Sequence, residues 1–383
     1  MAERPLAGLR VLELARVLAG PWIGQTLADL GADVVKVESP EGDETRAWGP
    51  PFAEDGSAAY FHAANRGKRA IALDFRDPAD RELARRLAAG ADVVVENFRT
   101  GGLVRHGLDY ASVAAGNPRV VYASVTGFGQ DGPEAGRAGY DFIIQAMGGS
   151  MDLTGAPDGP PQKPGVAYAD LFTGLYGVIA IQAALWQRAR TGRGQWIDLA
   201  LFDTQLAVLA NQATNYLIGG SVPRRLGNAH PNIVPYQVFE ASDAPLVIAC
   251  GNDGQFARLS AGLGLALHAD PRFATNPGRL AHREAVVEAL SERIAAMTRA
   301  EVLAVMAAAG VPAGPINTVA EAFAEPQAVA RGAVTSVGGS RAPRLPIRFS
   351  EAEIAADRPP PRHDEHGAAI RAALDGGAEW PPA

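Results

Sequence analysis

The feature that most constrains this chain is a repeated switch between two hydrophobic periods. Residues 9–14 (LRVLEL) form a short β-prone run, residues 21–30 have helical spacing closed by Gly31, and residues 33–38 (DVVKVE) form a second β-prone run. Pro21 suits a first helical turn, where its missing N–H costs nothing, and Gly31 suits the left-handed stop after a last turn. The alternation recurs with RAIALD at 69–74, a helix over about 80–89, DVVVE at 92–96 and VVYASV at 120–125. Strands separated by helices lie parallel, so the pattern predicts an α/β fold with a doubly wound sheet and ligands beyond the carboxyl ends of its strands. Arg16, Glu38, Asn97 and Gly127 all fall at or just past such ends.

At 383 residues the chain exceeds one usual domain. From 219 to 233 it becomes rich in Gly, Pro, Arg and Asn, and a new alternation starts at 236–239 and 246–250. We expect a large domain over 1–218 and a small domain over 219–326. Helical segments around 256–263 and 283–309 belong to the latter, which closes near the Pro-rich stretch 311–315. Residues 358–362 (RPPPR) read as a linker to a short final helix.

A formal charge of -7 argues against nucleic acid or an anionic membrane as the main partner, since counterion release needs a basic face. The lone cysteine, Cys250, permits no intramolecular disulfide and fits a reducing compartment, so a cytoplasmic location is expected. Residues 1–8 lack the apolar stretch of a signal peptide. The apolar run 171–186 is interrupted by Thr173, Gly174, Gly177 and Gln182 and reads as a buried helix.

Several motifs compete for the chemistry. Gly127, Gly129 and Gly132 match a dinucleotide fingerprint by spacing, but Pro133 and Gly136 continue a loop where that fingerprint would open a helix. A glycine-rich active-site loop or plain turn is the better reading. Basic residues gather near strand ends, at Arg16, Lys36, Arg66, Lys68, Arg69, Arg99, Arg105 and Arg137, which suggests a site for a multiply charged phosphate ligand. Asp170 precedes the apolar run and reads as its N-cap, a position whose N–H groups could also stabilise an oxyanion. Cys250 ends an apolar strand without a neighbouring base. The seven histidines show no i, i+4 pair, so no metal site is expected.

Eight blocks in order then resemble the family III CoA-transferases, also called the CaiB/BaiF family: LELARVLAGP (12–21), LGADVVKVE (30–38), NRGKRAIALD (65–74), ENFR (96–99), GFGQDGP (127–133), YADLFTG (168–174), TGRGQWID (191–198) and VPAGPIN (311–317). The resemblance implies a Rossmann-like large domain completed by residues 327–383, a smaller α/β domain, and two chains threaded into an interlocked homodimer. It implies that Asp170 is the covalent nucleophile and that Arg16, Val17, Ala19, Lys68, Leu73, Asn97, Phe98, Arg105 and Arg137 contact CoA. Arginine and lysine would meet phosphates. Gly251, Asn252, Asp253, Gly254 and Gln255 would stand where the family carries a glycine-rich loop over the aspartate.

Coenzyme A and acyl-CoA would then be substrates, with a carboxylic acid as acceptor and no permanently bound cofactor. The related α-methylacyl-CoA racemases place histidine in an Arg-Ala-Gly-His-Asp run, whereas this chain has Tyr140 before Asp141, and a phenol is a poor base at neutral pH. Transfer is therefore favoured over racemisation, and over an idle CoA-binding protein because Asp170 is retained. Residues 227–237 are similar to the subgroup using succinyl-CoA and dicarboxylates, with Arg224 and Arg225 as candidates for a second carboxylate.

Overall fold

The computed structural model describes residues 4–354 and 357–382. They divide into two compact units: one takes the chain up to Ser150, Lys163–Ser221 and the part from Val329 onward, the other Met151–Gln162 and Val222–Ala328. Residues 151–162, inside the span expected for the large domain, cluster with the second unit.

In the first unit β1 (Arg10–Leu14), β2 (Asp33–Glu38), β3 (Lys68–Ala72), β4 (Val93–Glu96), β5 (Val121–Thr126) and β6 (Gln195–Ala200) form one sheet. Its order is β3-β2-β1-β4-β5-β6 and every pairing is parallel. Strands β1 to β5 are covered on both faces, so their buried positions run consecutively instead of alternating, with the charged Glu13, Lys36 and Lys68 among the apolar residues. The edge strand β6 alternates partly buried and exposed residues, so the block at 191–198 carried no strand signal. Helices Ala19–Asp29 and Tyr168–Thr191 pack on one face, joining Ile23 and Ile181 to Val11, Val34 and Val95. Helices Pro78–Gly90 and Gly367–Asp375 supply Leu87 and Ile370 to the other, against Leu12, Val35 and Val94. The first two helices approach closely because Gly177 lacks a side chain: a Cβ there would lie 2.4 Å from Ile23 Cδ1.

The order reverses between β1 and β4, so their carboxyl ends splay and leave the crevice where such sheets bind ligands. At the far edge, the segment after Val329 closes the unit. Arg69 holds Asp33 at 2.5 Å and donates to the carbonyls of Pro381 and Pro382, while Trp380 donates to Asp33 at 2.6 Å.

In the second unit β7 (Tyr236–Glu240), β8 (Pro245–Ala249) and β9 (Ala313–Pro315) form an antiparallel sheet in that order. The Pro-rich stretch expected only to end the domain therefore supplies its third strand. The expected helical segment 283–309 is two helices, Arg283–Ala295 and Arg299–Ala309, because Thr298 and Glu301 form a capping box that starts a new one. Phe239, Ile248, Phe256, Leu290 and Met306 make the core.

Candidate active site

The crevice contains a cleft of about 450 Å³ lined by Arg16, Val17, Leu18 and Ala19 after β1, Asn97, Phe98 and Arg99 after β4, Gly127 after β5, and Arg105, Arg137, Tyr140 and Asp170. A neighbouring recess of about 260 Å³ is lined by Leu14, Glu38, Leu73, Phe75 and Phe98, with the two phenyl rings stacked 6.2 Å apart. Of the residues singled out by sequence, Arg16, Val17, Ala19, Asn97, Phe98, Arg105, Arg137, Tyr140 and Asp170 thus share one cleft. Leu73 lines the recess.

The basic residues separate into two groups. Lys68 is fully buried, its ammonium bonded to Glu13 at 2.7 Å, Asn65 at 2.9 Å and the Pro21 carbonyl at 2.9 Å, so it cannot meet a phosphate as expected. Burial pulls that ammonium down to about 8 even with Glu13 beside it. Lys36 lies between Glu13 and Asp43, Arg66 on Asp29 and Arg69 on Asp33, all turned inward. What remains for an anion is Arg16, Arg99, Arg105 and Arg137. Arg16 pairs with Glu44 at 2.6 Å and Arg137 with Glu134 at 3.2 Å, both on the surface, where a phosphate can displace a carboxylate. Asn97 serves the backbone: its side chain accepts from Arg16 N–H and donates to the Arg16 carbonyl.

Asp170 is not an N-cap. The long helix starts earlier, at Tyr168, with Ala167 as a cap that makes no side-chain bond, so Asp170 is its third residue. The true cap comes from another helix: Asp141 Oδ1 accepts from Ala169 N–H at 3.0 Å and Asp170 N–H at 3.4 Å. Two donors that the sequence suggested for an oxyanion are therefore already engaged. Asp141 heads helix Asp141–Met147 and is oriented by Gln145, which donates to its Oδ2 at 2.6 Å. Gly127 lets this arrangement close, because a Cβ there would lie 2.6 Å from Gly139 Cα, just ahead of Tyr140 and Asp141. No helix opens on the glycine loop itself, so a pyrophosphate cradle of the dinucleotide kind is absent.

Asp170 is 9% exposed, and its carboxylate accepts no hydrogen bond from any described residue. Burial, and then the charge of Asp141, push it up to about 7 against the pull of the helix terminus. It is a desolvated, uncommitted carboxylate at the lip of an arginine-lined cleft. Glu96, which ends β4 and lines a separate recess of about 240 Å³ with Tyr122 and Trp196, is likewise raised to about 7 by burial while accepting from Phe98 N–H. Sequence reasoning passed over Glu96, Asp43 and Glu44, whose roles depend on contacts across the sheet rather than on local pattern.

In the second unit, Gly251, Asn252, Asp253, Gly254 and Gln255 open helix Asp253–Gly262. Asn252 caps it by accepting from Gln255 N–H, Gln255 Oε1 accepts from Gly251 N–H, and Asp253 pairs with the fully buried Arg279 at 2.8 Å. Arg225 is committed to Asp152 at 2.7 Å and to its carbonyl, which removes it as a free carboxylate receptor. Arg224 is exposed. Burial raises the Cys250 thiol to about 11, leaving it un-ionised. Among the described residues no three His, Cys, Asp or Glu side chains are grouped to hold a metal.

Comparison with known proteins gives one consistent answer. The family model described as CoA-transferase family III matches residues 6–367. A succinate–glutarate CoA-transferase of Agrobacterium fabrum is 54% identical, covering 97% of this chain and 96% of that protein. An acetyl-CoA:oxalate CoA-transferase of Acetobacter aceti is 42% identical, covering 96% and 95%. The crystal structure of a CaiB/BaiF family protein from Brucella suis is 62% identical and superposes with a TM-score of 0.87, covering 97% of this chain and 99% of that one.

Proposed function

Since this chain belongs to CoA-transferase family III and moves CoA from an acyl-CoA thioester to a carboxylic acid, we propose that Asp170 is the group through which CoA passes. In its ionised form it attacks the thioester carbonyl and expels CoA thiolate, leaving a mixed anhydride with the donor acid. The thiolate returns to the Asp170 carbonyl, releasing the donor carboxylate and forming an aspartyl-CoA thioester. The acceptor carboxylate then attacks that thioester, and thiolate takes the acceptor acyl group, restoring Asp170. Electrons and charge balance at each step, and no external proton is consumed.

The observation that carries this reading is the uncommitted, desolvated Asp170 carboxylate opening on the arginine-lined cleft at the sheet's switch point. Desolvation makes an ionised carboxylate a stronger nucleophile, and a fixed cleft supplies orientation, for which about 7–11 kcal/mol is available. Arg16, Arg105 and Arg137 would hold phosphates, with Phe98 and Leu73 receiving the adenosine side in the recess.

For substrates we propose succinyl-CoA as donor and a short dicarboxylate such as glutarate as acceptor, following the 54% identical relative over the 42% identical oxalate enzyme. We further assign the homodimer, interlocked as the family resemblance implies, to the stripe Phe172, Tyr176, Ile179 and Trp186 on the long helix. Ile179 and Trp186 are 62% and 71% exposed there, on a helix whose other side is core. A reducing, cytoplasmic setting suits the single buried cysteine.

Intact-protein mass spectrometry after incubation with succinyl-CoA tests the mechanism. The native chain should gain a CoA-sized adduct that glutarate discharges, and D170A should gain none. An adduct that persists on D170A would remove Asp170 from the covalent path.

A further inference from the structure

Val17 adopts φ 70°, in the left-handed region that a β-branched side chain strongly disfavours. Two other described non-glycine residues do the same, Ala210 and Asp364, and neither lines the cleft. Such a backbone persists only where its surroundings over-determine it. The Arg16–Val17 turn is held from two sides. Asn97 engages Arg16 N–H and C=O at 3.0 and 2.7 Å, and the β2-side loop contributes Glu44 to the Arg16 guanidinium at 2.6 Å and Asp43 to Val17 N–H at 3.3 Å.

Asp43 is itself locked. It is 3% exposed, contacts Lys36 Nζ at 3.0 Å, and accepts from Thr45 N–H and Oγ at 3.0 and 2.7 Å; its own N–H donates to Glu38 at 2.8 Å. Lys36 in turn donates to Glu13 and to the Ala15 carbonyl, two residues before Val17. A buried charge network therefore reaches back to both ends of one strained turn, and that turn is a wall of the cleft into which Asp170 opens.

We infer that Asp43 is a positioning residue for the transfer reaction: it draws the Val17 N–H inward, keeps the turn left-handed, and so fixes the Arg16–Ala19 wall against which the acyl-CoA thioester lies. This rests on the cleft being the acyl-CoA site. A purely structural Asp43 would only neutralise Lys36. The two roles separate at Val17, because glycine occupies φ near 70° without a Cβ clash. If Asp43 acts through the turn, glycine at position 17 must relieve its loss. If Asp43 acts only on Lys36, glycine cannot.

The experiment compares the native enzyme, D43A and D43A/V17G, with KM for succinyl-CoA and for glutarate, kcat, and melting temperature. D43A, which removes the acceptor of the Val17 N–H, should raise the succinyl-CoA KM roughly tenfold with the glutarate KM little changed, and adding V17G should recover at least about threefold of that loss. A D43A/V17G enzyme as impaired as D43A, or a D43A enzyme with native KM, overturns the proposal. Should D43A fail to fold, V17G and V17A on the native background decide it. Strain places V17G above V17A in melting temperature, and the reverse order, expected of a relaxed site where glycine only loosens the unfolded chain, overturns it. Native turnover with succinyl-CoA is measured alongside, so failure of the substrate reading shows in the native enzyme and failure of the Asp43 role only in the variants.

Discussion

Two groups of buried charge in the first unit are arranged on opposite principles. Inside the sheet, Glu13, Lys36, Lys68 and Asp43 meet charge with opposite charge at 2.7–3.2 Å. At the cleft lip, Asp170 and Asp141 are two carboxylates with no cation bonded to either, joined through the helix N–H groups that Asp141 caps. The first group holds shape, since each ion there has its desolvation offset by a partner. On the role proposed for Asp170 the second stores reactivity, since Asp170 is left with burial and repulsion to bear in its ionised form.

The largest expected effect is on turnover. D170A should lower kcat by at least about a thousandfold while leaving CoA binding within a fewfold, measured by steady-state kinetics and calorimetry. Loss of binding in equal measure would place Asp170 among the structural charges instead. Next is E13Q, which strips two buried lysines of their shared partner and should cost about 3–5 kcal/mol in denaturant unfolding. A cost under about 1 kcal/mol would dissolve the distinction between the groups.

D170N should do the opposite and stabilise the fold by about 2–4 kcal/mol at pH 8. The sign follows from linkage. A carboxyl raised from its ordinary value of 3.8 to about 7 keeps its proton in the folded state over that window, so native stability falls between those pH values and is flat above. The advantage of D170N should therefore grow from pH 4 to 7 and then level off. An equal advantage at pH 4 and pH 8 would contradict the assignment. The smallest effect is D141N: it keeps an oxygen for the helix cap but removes the charge, so the acid limb of kcat/KM, expected near pH 7 in the native enzyme, should move to lower pH. An unmoved limb would mean that burial alone sets Asp170.

The sequence made the parallel sheet legible because strands covered on both faces carry apolar runs that no loop would, and helix stops such as Gly31 fell where the period changed. Strand β6 and the strand Ala313–Pro315 were not legible, one an edge with mixed residues and the other three residues long with a proline. At the site, position past a strand end found Arg16 and Asn97, but Lys68 shows the limit of that rule. A basic residue at a strand's start reads the same whether it points to solvent or into an ion pair. Asp141 was named from its neighbours in a motif, yet its bond to the helix carrying Asp170 joins residues 28 apart, which no local spacing reveals.

The closure of the far sheet edge has a consequence for how the molecule is made. Arg69 lies on β3 and its guanidinium is completed by carbonyls of Pro381 and Pro382, with Trp380 on the same aspartate. A ribosome delivers β3 long before those residues, so the nascent sheet waits through the synthesis of the entire second unit with that edge open. Completion of the large unit thus comes only after synthesis of the second, and substitutions or deletions at residues 380–382 should be felt first as slow or incomplete folding, before any catalytic defect.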